Sequence, residues 1–346
     1  MRKLIVILLL VSGLWSGYWF VGSNAIENAA NQAFADAAAQ GLVAEKTALS
    51  VQGFPNRFDL TVEGVKLADP GSGFGWEGAF FKIFAMTWKP WHIIAGFPPE
   101  QTLTTPDEVI TLSSVDMMAS LRAQVSTDLP LAAVIIEGND LAAASSAGWT
   151  VGAKRAIASI RTDEELGSDA GVSGAPDDPN TYVLKLDVAE LTPDPVALAK
   201  VTTEADLPAM ISEVRLLATA RLTAPIDRHM GDTNPMLAGL EMNSLSVVWG
   251  DLSIAGSGSI APDAAGFAEG RIEFAVTNWQ KLVAALVATG TIKPDFAPTI
   301  TNMLTAMAKQ SGDPDVLNLP LVFKDGHMSV GPIPLGPAPM MIPASG

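Results

Sequence analysis

The spacing of apolar residues changes character twice along the chain. From Leu4 to Val21 no charged residue interrupts a run of about 18 mostly apolar residues. As a helix that run spans about 27 Å, close to the ~30 Å of a bilayer's hydrocarbon core. From Ile26 the period becomes helical. Ile26, Ala30, Phe34 and Ala37 fall on one face of an Ala-rich segment without a breaker, and Gly41 is placed to end it. Beyond Gly41 the dominant period is two, the mark of half-buried strands. Phe58, Leu60 and Val62 alternate, and after Gly64 the alternation resumes in shifted phase with Val65 and Leu67, as at a bulge.

Further strands follow from the same rule. Tyr182, Leu184, Leu186 and Val188 share one face, as do Val214, Leu216, Ala218, Ala220 and Leu222. Two strands flank Gly250-Asp251, and Ile272, Phe274 and Val276 point inward between outward Arg271, Glu273 and Thr277. The C-terminal stretch reads as a hairpin turning at Asp325-Gly326, then a Pro-rich tail. Helical spacing returns in a segment broken by Pro208, in 278–290 with Asn278 as N-cap and Gly290 as stop, and where Ile300, Met303, Leu304 and Met307 share a face. The expected fold is mainly β, of α+β type. A transmembrane helix leads into curved antiparallel sheet with a few accessory helices. The divisions are 1–22 as anchor or signal sequence, 23–41 as helical stalk or cap, 42–161 as a β-rich half, 162–181 as an acidic exposed loop, and 182–346 as a second β-rich half with a helical hairpin near 278–311.

Charge sharpens the N-terminal reading. Arg2 and Lys3 precede the apolar run, so the positive-inside rule sends the remainder across the membrane. Small residues at Ser23 and Ala25 suit a signal-peptide cleavage site. Trp15, Tyr18, Trp19 and Phe20 suit the interfacial end of a retained anchor, which is the favoured reading. The expected location is the inner membrane, single-pass with the C-terminal domain periplasmic, or the periplasm if the leader is cleaved.

Outside the leader the chain has 19 basic against 37 acidic residues, or −18. That sign repels phosphate backbones and argues against nucleic acid as partner. With no cysteine, thiolate catalysis, disulfides and cysteine metal sites are excluded. There is no GxSxG, GxxxxGK[ST] or HExxH, and no GxGxxG that follows a strand and opens a helix. The glycine-rich stretch from Gly71 to Gly78 is expected to be a loop. His92, His229 and His327 stand far apart, and Glu63 and Glu137 alternate with apolar residues and should point outward. The expectation is therefore no enzyme, no catalytic or metal residues and no cofactor.

What stands out is aromatic density. Phe74, Trp76, Phe80, Phe81, Phe84, Trp88 and Trp91 lie within about twenty residues. Such a cluster reads first as sheet core. The functional alternative is a groove for acyl chains or another apolar ligand, with Trp76, Phe84, Trp88 and Trp91 as its candidate lining. Trp88 and Trp91, three apart around Pro90, would face opposite sides of a regular strand that Pro90 must end or place at an edge.

Four blocks carry a resemblance: Gly53–Leu60 (GFPNRFDL), Thr87–Ile94 (TWKPWHII), Thr105–Arg122 and Leu319–Pro339. In this order, behind the N-terminal helix, they resemble the bacterial family called domain of unknown function 2125. The resemblance implies an anchored or exported envelope protein and assigns no chemistry. In plan the chain is also distantly similar to AsmA-like envelope proteins, in which a membrane helix precedes a curved sheet with a greasy groove. Together these readings predict a non-enzymatic protein that binds or conducts a lipid or other apolar ligand. The alternative is a scaffold or assembly factor with a protein partner in the envelope.

Overall fold

The computed structural model describes residues 2–162, 180–310, 313–331 and 333–342. The expected acidic loop therefore lies, over 163–179, outside the described residues. By contacts the chain divides into two compact units: Met1–Val125 with Ile136–Trp149, and Ser126–Ile135 with Thr150–Gly346. The strands are antiparallel throughout, and the mainly β expectation holds.

In the first unit a single helix, α1, runs from Arg2 to Ala39. The segments expected as anchor and stalk are thus one rod, for Gly22 weakens a helix without ending it and no proline falls between Val21 and Ile26. Its end follows the predicted stop. Gly41 N–H donates to Ala38 O (3.0 Å) and Leu42 N–H to Ala37 O (3.1 Å), the paired bonds of a Schellman cap.

The sheet beneath α1 is built on two long strands, β3 (Arg57–Asp69) and β4 (Phe74–Met86). Before them come β1 (Val43–Glu45) and β2 (Ala48–Gln52), which share the outer edge of β3. The far edge of β4 is likewise shared. Its C-terminal half pairs with β5 (Lys89–Gly96) and its N-terminal half with β6 (Glu100–Thr104). The sheet continues through β7 (Val109–Ser113), β8 (Asp116–Ala123) and β9 (Leu131–Ser145), whose residues from Ile136 onward belong to this unit. The phase shift at Gly64 is present: Leu60, Val62 and Val65 are all buried together under α1. The pairing itself does not slip, for Glu63↔Phe80 and Val65↔Gly78 keep one register. Both strands change phase together.

The second unit is a meander. In order it uses β10 (Thr150–Arg161), β11 (Thr181–Thr192), β12 (Ile211–Leu222), β13 (Leu237–Trp249), β14 (Leu252–Pro262), β15 (Ala268–Thr277), β16 (Val316–Lys324), β17 (His327–Val330) and β18 (Ile333–Pro337). Each pairs with the next. Register aligns the predicted apolar sets. Leu186 faces Leu216, Leu216 faces Leu245, and on the later strands Phe274 faces Leu319. The other face carries an ion-pair row, Lys185–Asp187–Arg215–Glu213. Helices Pro195–Ala205, Trp279–Ala288 and Ala297–Gln310 cover one end of the apolar face, around Leu252, Val276, Trp279, Leu304 and Leu317. The turn at Asp325-Gly326 is a two-residue hairpin, with both residues at positive φ (51° and 72°) as a type I′ turn requires. Asn278 does stand before its helix, but its side chain does not cap. It donates instead to the Asp251 carbonyl (2.7 Å), because its own φ of 56° turns it away from the first helical N–H groups.

Candidate functional site

The C-terminal half of α1 lies across the first unit's sheet. Ile26, Ala30 and Phe34 pack on the buried Leu60, Val62 and Val65. A large apolar side chain fully removed from water contributes about 1.5–3 kcal/mol and the half-buried Ile26 and Phe34 a part of that, so this seam holds a largely apolar rod on the sheet. Further along, the packing fails to close. Ala33 and Ala37 on the helix and Ala44 on β1 are too short to reach the large residues opposite, Trp76 and Phe81 on β4 and Phe97 after β5. A cavity of about 370 Å³ remains, completed by Phe34, Val62, Val65 and Leu67. None of these residues carries a titratable side chain. A pocket of this size and lining falls in the range of small-molecule sites.

Local sequence sets the walls. Gly78 shares a face with Trp76, and a side chain at Gly78 would come within 2.9 Å of the indole, so the glycine makes room for the ring. The indole Nε1 of Trp76 donates to Gln101 Oε1 (2.9 Å), and the Gln101 amide donates to the Met117 sulfur. That bond satisfies the ring's polar atom and leaves its carbon surface for the cavity. Trp76, Phe81 and Phe97 form an aromatic trio with centroids 5.4–6.4 Å apart. The Lys46 ammonium sits over the Phe34 ring, 4.3 Å from its centroid. It is a cation held against a ring that itself lines the cavity.

Of the four aromatic residues singled out by the sequence, the structure takes Trp76 into the cavity and leaves the other three outside. Phe84 pairs with Asp59 on the sheet face away from α1. Trp88 lies in the tight turn after β4, exposed, and Trp91 is half-buried on β5. Pro90 does not end a strand, but it lies beyond the β8 pairing, which begins at His92, so the expected edge placement holds locally. It is the second residue of β5, where the β4–β5 register slips between Ala85 and Met86, and a bulge is where a missing N–H is tolerated. Sequence reasoning missed Ala33, Ala37 and Ala44, since a cavity is made by residues that are too small. The periodicity of the helix did place Phe34 and Ala37 on the docking face.

Elsewhere the polar groups serve structure. His92 Nε2 lies 3.1 Å from Ser120 Oγ across β5 and β8. His229 opens the single turn Met230–Thr233, and His327 Nδ1 lies 2.8 Å from the Asp325 carbonyl. Glu63 is exposed and Glu137 half-buried. The glycine-rich stretch opens no helix, but the expected loop is confined to the β3–β4 turn at Gly71–Gly73, and Phe74–Gly78 are the start of β4, where they pair with β3 and β6. In the turn Asp69 accepts from the Ser72 hydroxyl and the Gly71 N–H, and these bonds hold its carboxyl below the usual range. Lys281 donates to Asp251 Oδ1 (2.8 Å) and reaches Asp206 Oδ2 (3.4 Å). Its pKa is raised and that of Asp251 lowered, each chiefly by their mutual hydrogen bond. Among the described residues no three His, Cys, Asp or Glu groups are placed to hold a metal ion.

Fold and site define a class: an antiparallel β protein whose N-terminal helix, long and apolar enough to cross a membrane, extends over its sheet and roofs an apolar cavity. The chain belongs to a family of uncharacterised proteins conserved in bacteria, domain of unknown function 2125, whose sequence model matches residues 19–339. No curated protein and no solved structure matches it. The expected likeness in plan to AsmA-like proteins finds no support in these comparisons.

Proposed function

We propose that this protein is a non-enzymatic envelope protein, held by α1 in the inner membrane with its β units in the periplasm, that binds an acyl chain or similar apolar ligand in the first unit. The observation that carries this reading is the wholly apolar cavity between α1 and the sheet. The seam leading to it is apolar as well. Trp19 stacks on Phe58 near the end of the uncharged run, Ile26 and Ala30 pack on Leu60 and Val62, and Phe34 reaches the cavity. The Lys46 ammonium over Phe34, a ring that lines the cavity, favours a ligand with an anionic head group. Arg2 and Lys3 before the apolar run support a periplasmic domain.

The test uses the full-length protein extracted in mild detergent. Native mass spectrometry should find bound lipid, and a fluorescent fatty-acid analogue should bind in competition with it. Ala37→Trp, which fills the void, should abolish both signals while leaving the sheet folded. Protein that carries no lipid, binds no analogue and instead retains one protein partner would replace this reading with the scaffold alternative.

A further inference from the structure

The hairpin tips that meet α1 pose a problem of length. The first side chain of α1 tied to the sheet unit is Trp15, whose Nε1 donates to the Pro55 carbonyl (3.0 Å). Tyr18 OH donates to the Thr87 carbonyl (2.9 Å), and Trp19 Nε1 to the Arg57 carbonyl (2.7 Å). From Leu4 to Leu14 the helix rises only about 17 Å, well short of a ~30 Å hydrocarbon core. If α1 crosses the membrane, residues 15–21 must lie within the bilayer too, and they carry the tips Gly53–Arg57 and Met86–Trp91 with them.

The tips are built for that position. Phe54, Met86 and Trp88 are 51%, 42% and 55% exposed, an odd surface for a domain standing in water. Phe54 packs on Trp19 and Phe20 at 5.4 and 5.6 Å between ring centroids, so helix and tip form one aromatic cluster. Neither tip contains an acidic residue in a chain otherwise strongly acidic, and they carry Arg57 and Lys89. The nearby Asp59 is engaged by Arg57 at 2.7 Å.

Backbone accounting agrees. Asn56 and Arg57 N–H donate to Gly53 O, Thr87 N–H and Oγ1 both donate to Asn56 O, and Pro55 has no N–H. The carbonyls of Pro55, Arg57 and Thr87 receive the three helix donors just named. In water such carbonyls need no tryptophan or tyrosine, whereas in lipid every backbone group must find a partner within the protein.

We infer that the tips Gly53–Arg57 and Met86–Trp91 form a shelf that enters the outer leaflet of the bilayer beside α1, seating the first unit on the membrane. This rests on α1 being a retained membrane-crossing helix. The aromatics then lie at the interface, where such rings concentrate, and Lys89 meets lipid phosphates. The base of the seam leading to the cavity then lies at lipid level, and Phe34 stands about 20 Å beyond Val21 along the helix.

The absence of cysteine makes the test direct. Full-length Phe54→Cys, Trp88→Cys, Leu10→Cys and Ser72→Cys, each labelled with an environment-sensitive fluorophore, are reconstituted into phosphatidylethanolamine/phosphatidylglycerol vesicles. Nitroxide lipids labelled near the head group or deep in the acyl chain serve as quenchers. The inference expects labels at 54 and 88 to lose most of their emission to the shallow quencher. The label at 10 should respond to the deep quencher, and the label at 72, in the β3–β4 turn, to neither. Labels at 54 and 88 that stay unquenched while position 10 is quenched would overturn the shelf and leave the anchor standing. A position 10 label untouched by either quencher would overturn the anchor and the shelf with it.

Discussion

At the scale of single residues, size matters more than chemistry. The cavity exists because Ala33, Ala37 and Ala44 oppose Trp76, Phe81 and Phe97. Ala33→Trp should therefore lower fatty-acid-analogue affinity at least tenfold with little loss of stability, whereas Trp76→Ala should enlarge the void and lower stability. The opposite case is Trp279. It is 1% exposed, with Nε1 donating to the Pro314 carbonyl, and it fills its site in the second unit's core. Trp279→Ala should cost about 3–5 kcal/mol, read as a lower urea midpoint. Gly258 shows the same logic on the backbone. Its φ is 149°, and a Cβ there would lie 2.2 Å from the Arg271 carbonyl oxygen across the β14–β15 pair. Gly258→Ala should push the strands apart and speed amide exchange in both, which hydrogen-exchange mass spectrometry would read.

Among elements, the link that responds to pH is the one between helix Trp279–Ala288 and the β13–β14 turn. Asp251 has a lowered pKa, so its contribution is complete above the ordinary carboxylate value of 3.8 and is lost as pH falls through the folded value. Lys281 has a raised pKa, so its contribution is complete below 10.5 and is lost as pH rises through the folded value. Between those limits the link should be constant. Amide exchange in this helix, compared with that in the β11–β12 pair, should accelerate selectively only outside them, and Lys281→Met should remove the difference. The elements themselves were largely legible. Period two marked β11, β12 and β15, and helical spacing marked the Ile300–Met307 face that packs on the core. Less legible were the forked edges of β3 and β4, because the division of one strand's partners depends on residues distant in sequence.

For the whole molecule, α1 is both the helix long and apolar enough to cross a membrane and the cover of the cavity. Its Ile26–Ala37 face covers Leu60, Val62, Val65 and the cavity, so the protein cannot lose the helix and keep the site. A chain beginning at Leu42 should expose that surface, bind a hydrophobic dye such as ANS several-fold more strongly than the full-length protein in detergent, and bind no fatty-acid analogue.

The division of information follows from the range of the forces. The uncharged run behind Arg2 and Lys3, the amphipathic face from Ile26 to Ala37, the alternating strands and the lack of thiols are read from neighbours a few residues apart, and the sequence by itself determined them. Aromatic density around Trp76 was visible there too, but its meaning was not. Whether a tryptophan lines a cavity, packs behind the sheet like Phe84 or stands exposed like Trp88 depends on register, on the bulge at Pro90 and on how far α1 reaches along the sheet. Those are long-range pairings and close-packing outcomes. Only the tertiary structure decided that three alanines would leave a void opposite three aromatic rings.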